Sequence, residues 1–219
     1  SRWCRYLRSG VGSAHGCTQR FIRRDAGGCS GLSSKAYSCE MKLIILDRDG
    51  VVNQDSDKYI KSADEWEPIP GSLEAIARLH HGGYRIAIAS NQSGLGRGYF
   101  SIDDLNAMHR KLSRGLSILG AQVEAIFFCP HAPSDVCYCR KPKPGLLLDI
   151  SERLQIGLAG VPVVGDSFRD IQAAREVGAA PVLVLTGNGK RVLAKRRAQL
   201  GETAVFADLA AVADALLRH

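Results

Sequence analysis

The segment Ile45-Leu46-Asp47-Arg48-Asp49-Gly50-Val51-Val52-Asn53 constrains this chain more than any other. An apolar run, Leu43-Ile44-Ile45-Leu46, meets two carboxylates and then a glycine. The run is short, β-branched in its middle and bounded by turn chemistry, so it reads as a buried strand. Side chains at i and i+2 of an extended chain leave the same face. Asp47 and Asp49 therefore point into one site at the strand's C-terminal end. Ligands of open α/β sheets bind along that edge. Two like charges held so close repel unless a cation or a shared proton compensates. The pair thus points to a divalent metal, and to a division of labour in which one carboxylate attacks and the other carries a proton.

At 219 residues the chain can bury one sizeable core without needing a second domain. No apolar run approaches the roughly 18 residues of a membrane span, which gives the expectation of a soluble protein. The net charge of +7 suggests a polyanionic partner until its distribution is considered. Residues 1–40 hold seven of the 29 Lys and Arg but only two of the 22 Asp and Glu, Asp25 and Glu40. The remaining residues are nearly neutral, so no nucleic-acid partner is expected.

Those first forty residues differ in kind: rich in Gly, Ser and Arg, without hydrophobic periodicity, and carrying Cys4, Cys17, Cys29 and Cys39. Globular texture begins at Met41. The segment reads as translated sequence upstream of the true start or as a disordered tail. A transit peptide needs an amphipathic helix, which Gly10, Gly12, Gly16, Gly27, Gly28 and Gly31 oppose. The expected organisation is therefore an extension over 1–40 and a single domain over 41–219.

From Met41 onward strand and helix patterns alternate, which predicts a parallel, right-handed, doubly wound α/β sheet with no internal repeat. Strands are expected at Leu43–Leu46, Tyr84–Ala89, Val123–Phe128, Val161–Val164 and Pro181–Leu185, with a short one near Val205. Ser72 and Ser101 are expected to cap helices, and Pro144 to sit in the first turn of another. Further helices are expected over Ile171–Val177, near Lys190–Leu200 and from Ala207. His80 and His81 sit at a helix end beside glycines, and His109 lies within the long helix; none is assigned to chemistry.

Several strand ends carry groups suited to phosphoryl transfer. Ser90-Asn91-Gln92-Ser93-Gly94 offers a hydroxyl, amides and turning backbone N–H groups that suit phosphate oxygens. Arg140-Lys141-Pro142 supplies cations, and Gly165-Asp166-Ser167-Phe168-Arg169-Asp170 puts a carboxylate at a strand tip, where Asp166 could complete a metal site begun by Asp47. Asp170, one turn later, reads as surface charge. Separately, Cys129-Pro130-His131 and Cys137-Tyr138-Cys139 give C-x-H-x5-C-x-C. Three thiolates and one imidazole in one loop match a closed tetrahedral Zn²⁺ site, hence a structural one, which pins the loop delivering Arg140 and Lys141. Such clustering fits intracellular metal binding rather than a disulfide framework, and a cytoplasmic location.

In this order the four elements, D-R-D-G-V-V-N, S-N-Q, R-K-P-K-P-G and G-D-S-F-R-D, resemble the four motifs of the haloacid dehalogenase superfamily of aspartate-nucleophile phosphatases. The resemblance spans nearly everything after Met41. It implies a Rossmann-like fold without a large cap domain, Asp47 as the nucleophile, and Asp49 as the acid and then the base. It also implies Mg²⁺ held by Asp47, Asp166 and the Asp49 carbonyl, with Ser90 and Lys141 on the phosphoryl oxygens. Where members often carry Lys after the aspartate of the fourth motif, this chain has Ser167.

The zinc loop directly before R-K-P is similar to one branch, shared by heptose-bisphosphate phosphatases and histidinol-phosphate phosphatases. D-R-D-G-V-V-N with Q-D-S-D-K-Y, S-N-Q-S-G-L-G-R-G and C-R-K-P-K-P-G favour the first. That likeness implies a monomer acting on a small sugar bisphosphate. By position it maps substrate contacts to Asp55, Ser56, Asp57 and Lys58, alongside Asn91, Gln92 and Ser93. A bisphosphate has a second dianion needing a cationic clamp, for which Arg140 is the candidate. Histidinol-phosphate hydrolysis is the alternative, and a nucleic-acid 3′-phosphatase a more distant one.

Overall fold

The computed structural model describes residues 42–218. The expectation for 1–40, with its four cysteines, lies outside the described residues. The strands are β1 (Lys42–Leu46), β2 (Tyr84–Asn91), β3 (Ala125–Cys129), β4 (Pro162–Gly165), β5 (Ala180–Val184) and β6 (Ala204–Phe206). The helices are α1 (Ser72–His81), α2 (Ser93–Gly96), α3 (Ile102–Ile118), α4 (Gly145–Leu154), α5 (Phe168–Glu176), α6 (Gly189–Leu200) and α7 (Leu209–Leu217). The strands form one six-stranded sheet in the order β3-β2-β1-β4-β5-β6. Every pairing is parallel.

Strand β1 shows why the sheet must be covered twice. Ile44 and Leu46 belong to the core under α1, α3 and α7, while Leu43 and Ile45 belong to the core under α4 and α5. Both pairs are buried, so the near-continuous apolar run is what a two-sided parallel strand demands. The chain leaves β1 for β2 on one side and later returns to β4 on the other, so Leu46 pairs with both Ile88 and Val164. This reversal opens a crevice at the strands' C-terminal ends, where Asp47, Ser90 and Asp166 emerge. Among the described residues, connection 47–71 carries only isolated bridges and 130–144 no strand or helix, so no cap domain sits over the crevice.

Several local expectations need correction. Gly71, not Ser72, occupies the cap of α1, because the Ser72 hydroxyl donates to the Val52 carbonyl at 2.6 Å instead. Pro144 is the residue before α4 rather than part of its first turn. The loop after Ser90 contains the short helix α2, α5 begins earlier, at Phe168, and Asp208 caps α7. Ser101 does cap α3, in a reciprocal box with Asp104. Among the described residues no helix is long and apolar enough to cross a membrane.

Ile45→Ala removes a fully buried side chain between β1 and the α4/α5 layer. Denaturant unfolding should show a loss of about 2–5 kcal/mol. A loss below about 1 kcal/mol would mean that this layer is not the packed core described.

Candidate active site

Asp47 directly follows β1, and its N–H donates to the Val164 carbonyl at 2.8 Å, which fixes the aspartate against β4. Asp166 directly follows β4, and Asp170 lies in the first turn of α5. One oxygen from each of these three carboxylates lies within 4.8 Å of the others. Lys141 sits among them with its ammonium 3.1 Å from Asp47 Oδ1 and 2.5 Å from Asp170 Oδ1. It also donates to the Ala89 carbonyl at 2.7 Å. The backbone is pressed close: a Cβ on Gly50 or Gly187, both at positive φ, would come within 2.2 Å of Asp166 Oδ2.

Burial raises the Asp47 carboxyl well above its ordinary range, against the pull of Lys141 and with Asp170, Asp166 and Asp49 adding to the rise. Burial also pushes Asp166 up to about 6; hydrogen bonds from Asn188 oppose this and Asp170 adds to it. Two carboxylates that resist ionisation, with the Asp170 oxygens converging beside them, form a set of hard donors that a divalent cation would relieve. The donor chemistry fits Mg²⁺.

Asp49 has the opposite environment. Arg48 donates through Nε and Nη2 at 2.9–3.0 Å, Asn53 Nδ2 at 2.8 Å and Gln92 Nε2 at 2.7 Å. Burial would raise this carboxyl, but the Arg48 charge and these donors outweigh it and lower it. Arg48 is itself buried, and its Nη2 also donates to Gln92 Oε1. The side chain of Asp49 is thus held by polar donors at the edge of the same cavity, and contributes no oxygen to the Asp47–Asp166–Asp170 cluster.

These groups line a cavity of about 290 Å³. Ser90, Asn91, Gln92, Ser93, Arg140 and Lys141 all reach it, as the sequence led one to expect. Asn91, however, spends both ends of its amide on the Lys141 backbone at 3.0 Å, and Gln92 is committed to Asp49 and Ser90. Asp55 and Ser56 line the cavity, while Asp57 lines only an adjoining recess. Lys58 lines neither.

Sequence reasoning missed Arg48, Tyr59, Arg169, Asp170 and Asn188. Asp170 is buried rather than surface charge: it pairs with Lys141 and accepts from the Ser167 N–H and hydroxyl. Asn188 donates to Asp166 and Asp55 from the glycine-flanked turn after β5. That turn, Thr186-Gly187-Asn188-Gly189 at a strand end, was the signal available for it.

The Cys/His loop follows β3. Cys129, His131, Cys137 and Cys139 each bring a ligand atom within 4.8 Å of the rest. His131 Nδ1 is 3.4 Å from Cys129 Sγ and from Cys139 Sγ, and Cys129 Sγ is 3.9 Å from Cys137 Sγ. A tetrahedron with its centre about 2.3 Å from each sulfur has edges of about 3.8 Å, so the set fits Zn²⁺. Hydrogen bonding from Cys139, with His131 and Cys137 helping and burial opposing, brings Cys129 down to about 5. The loop ends in Arg140, whose Nη1 donates to the His131 carbonyl at 3.3 Å, and then Lys141. Cys137→Ser should lower bound zinc and reduce turnover about tenfold or more, read by elemental analysis alongside activity. A zinc-free variant that stays folded and fully active would separate the loop from the site.

Comparison with known proteins agrees with this geometry. A family model described as HAD-hydrolase-like matches residues 138–212, and one described as polynucleotide kinase 3 phosphatase matches 42–171. The D-glycero-β-D-manno-heptose-1,7-bisphosphate 7-phosphatase of Bordetella bronchiseptica is 58% identical over 82% of this chain and 99% of its own. The Pseudomonas aeruginosa enzyme of that name is 53% identical over 80% of this chain and 98% of its own. A crystal structure of the B. bronchiseptica phosphatase, complexed with magnesium and phosphate, is 57% identical and has a TM-score of 0.78, covering 81% of this chain and 99% of that one. The Burkholderia thailandensis structure is 44% identical with a TM-score of 0.63, over 81% and 99%. The chain therefore belongs to the family that the polynucleotide kinase 3 phosphatase model describes within the haloacid dehalogenase-like hydrolases, and in it to the D-glycero-β-D-manno-heptose-1,7-bisphosphate 7-phosphatases.

Proposed function

We propose that this chain is a Mg²⁺-dependent phosphatase that removes the 7-phosphate of D-glycero-D-manno-heptose 1,7-bisphosphate through a phosphorylated Asp47. The observation that carries the reading is the convergence of Asp47, Asp166 and Asp170 around Lys141 at the tips of β1 and β4. The substrate follows from relatives that match over nearly their whole length. We read the step as part of ADP-heptose supply for a surface lipopolysaccharide. Residues 41–219 form the phosphatase domain, in a monomeric, cytoplasmic protein.

Asp47 and Asp166, with the Asp49 carbonyl, would hold Mg²⁺, which neutralises charge on the phosphoryl oxygens and draws Asp47 into its ionised form. An Asp47 oxygen attacks phosphorus, and the bond from phosphorus to the sugar oxygen breaks. Asp49 gives that departing oxygen its proton. Now ionised, Asp49 takes a proton from water, whose oxygen attacks the aspartyl-phosphate; inorganic phosphate leaves and both carboxyls are restored. Its lowered pKa keeps it ionised, as this second, basic role requires, and the approach of a dianionic phosphate raises that pKa for the first. Lys141 and Ser90 hold phosphoryl oxygens as charge shifts. Asp170, with both oxygens engaged, orients Lys141. Arg140 meets the second phosphate.

Asp47→Asn should cut turnover about a thousandfold or more while folding and zinc content stay intact, checked by steady-state kinetics and elemental analysis. Retained turnover would remove the covalent route. One observation favours a 3′-phosphatase, namely the family model over 42–171. A near-neutral body and a small polar cavity oppose it. A panel of heptose bisphosphate, histidinol phosphate and 3′-phosphorylated oligonucleotide decides among them by kcat/KM; preference for either of the last two would displace the heptose reading.

A further inference from the structure

The charges around the cavity do not balance locally. Five carboxylates line it, and each has a partner: Asp49 with Arg48, Asp47 and Asp170 with Lys141, Asp55 and Asp166 with Asn188. Two of its four cations, Arg140 and Arg169, have no carboxylate partner among the described residues. They arrive from different elements, Arg140 from the Cys/His loop and Arg169 from the first turn of α5. Among the described residues Arg140 is tethered through the His131 carbonyl.

Arg169 is misplaced by two separate criteria. Like charges that face one another across a cavity repel, and a cation in the first turn of a helix opposes the helix dipole. An anion between the two guanidinium groups relieves both penalties. The neighbouring Ser167 is held by Asp170 in the cap of α5 and offers no charge. Arg169 is exposed and unencumbered, and its planar fork suits bidentate contact with a phosphate.

We propose that Arg169 is a specificity-determining residue, which with Arg140 forms a two-arginine clamp on the phosphate that is not transferred. The inference rests on the bisphosphate reading above and adds to it a second, independent cation. The clamp selects bisphosphate over monophosphate, and it acts in binding rather than at the reacting phosphorus.

The test compares the full chain with Arg169→Gln and Arg169→Lys, in Mg²⁺, on heptose 1,7-bisphosphate and heptose 7-phosphate. Arg169→Gln should lower the ratio of kcat/KM for bisphosphate over monophosphate about ten- to hundredfold, mostly through KM, the loss expected for one charge-assisted contact. Arg169→Lys should recover part of that ratio. Inhibition by the product heptose 1-phosphate, which keeps the distal phosphate, should weaken in parallel. A bisphosphate preference that survives intact in Arg169→Gln overturns the clamp and leaves the functional reading standing. Equal losses on both substrates overturn it as well. A wild-type protein without bisphosphate preference overturns both.

Discussion

Like-charge repulsion among Asp47, Asp166 and Asp170 is the constraint around which the rest of the molecule is arranged. No strand tip would gather three carboxylates so tightly without compensation. Lys141 supplies part of it, bridging Asp47 and Asp170 from a buried position. The remainder is charge the protein lacks. Breaking such a buried pair costs far more than the pair contributes to folding, so its presence speaks for chemistry rather than stability. The sheet makes the gathering possible because β1 and β4 are parallel neighbours whose tips coincide.

The zinc loop serves the same end at one remove. Lys141 must cross the crevice to reach Asp170, and its backbone is fixed from two directions: by Cys139 two residues before it and by the Asn91 amide from β2. Arg140 leaves the same short segment toward the cavity. A structural metal thus substitutes for the packing that a long loop without regular structure cannot provide. The contrast between Asp47 and Asp49, two residues apart with opposite acidities, arises the same way. One faces carboxylates, the other Arg48, Asn53 and Gln92.

Much of this was legible in the sequence. Period-two logic placed Asp47 and Asp49 at one strand end, and alternating patterns gave a parallel doubly wound sheet. Cysteine spacing gave the zinc set. What escaped notice depended on tertiary contact. Asp170 looks like a surface residue on a helix, but Lys141, from a loop 29 positions earlier, pairs with it in a buried position. Ser72 looks like a cap, but the Val52 carbonyl claims its hydroxyl. Asn91 looks like a phosphate ligand, yet its amide is needed to hold a backbone. Tyr59, at φ 65° in the turn after Lys58, lines the cavity without any motif to mark it.

The central claim is that a divalent cation completes the charge balance of this cluster. It is tested most directly by thermal unfolding of the wild type and an Asp166→Asn variant, each titrated with Mg²⁺ after chelation. Binding to the folded state alone should raise the wild-type midpoint progressively with Mg²⁺, with about 2.7 kcal/mol of stabilisation at a hundredfold excess over Kd. Asp166→Asn should begin more stable than the chelated wild type and respond little. A wild-type midpoint indifferent to Mg²⁺, with hydrolysis continuing at full rate in chelator, would contradict the account.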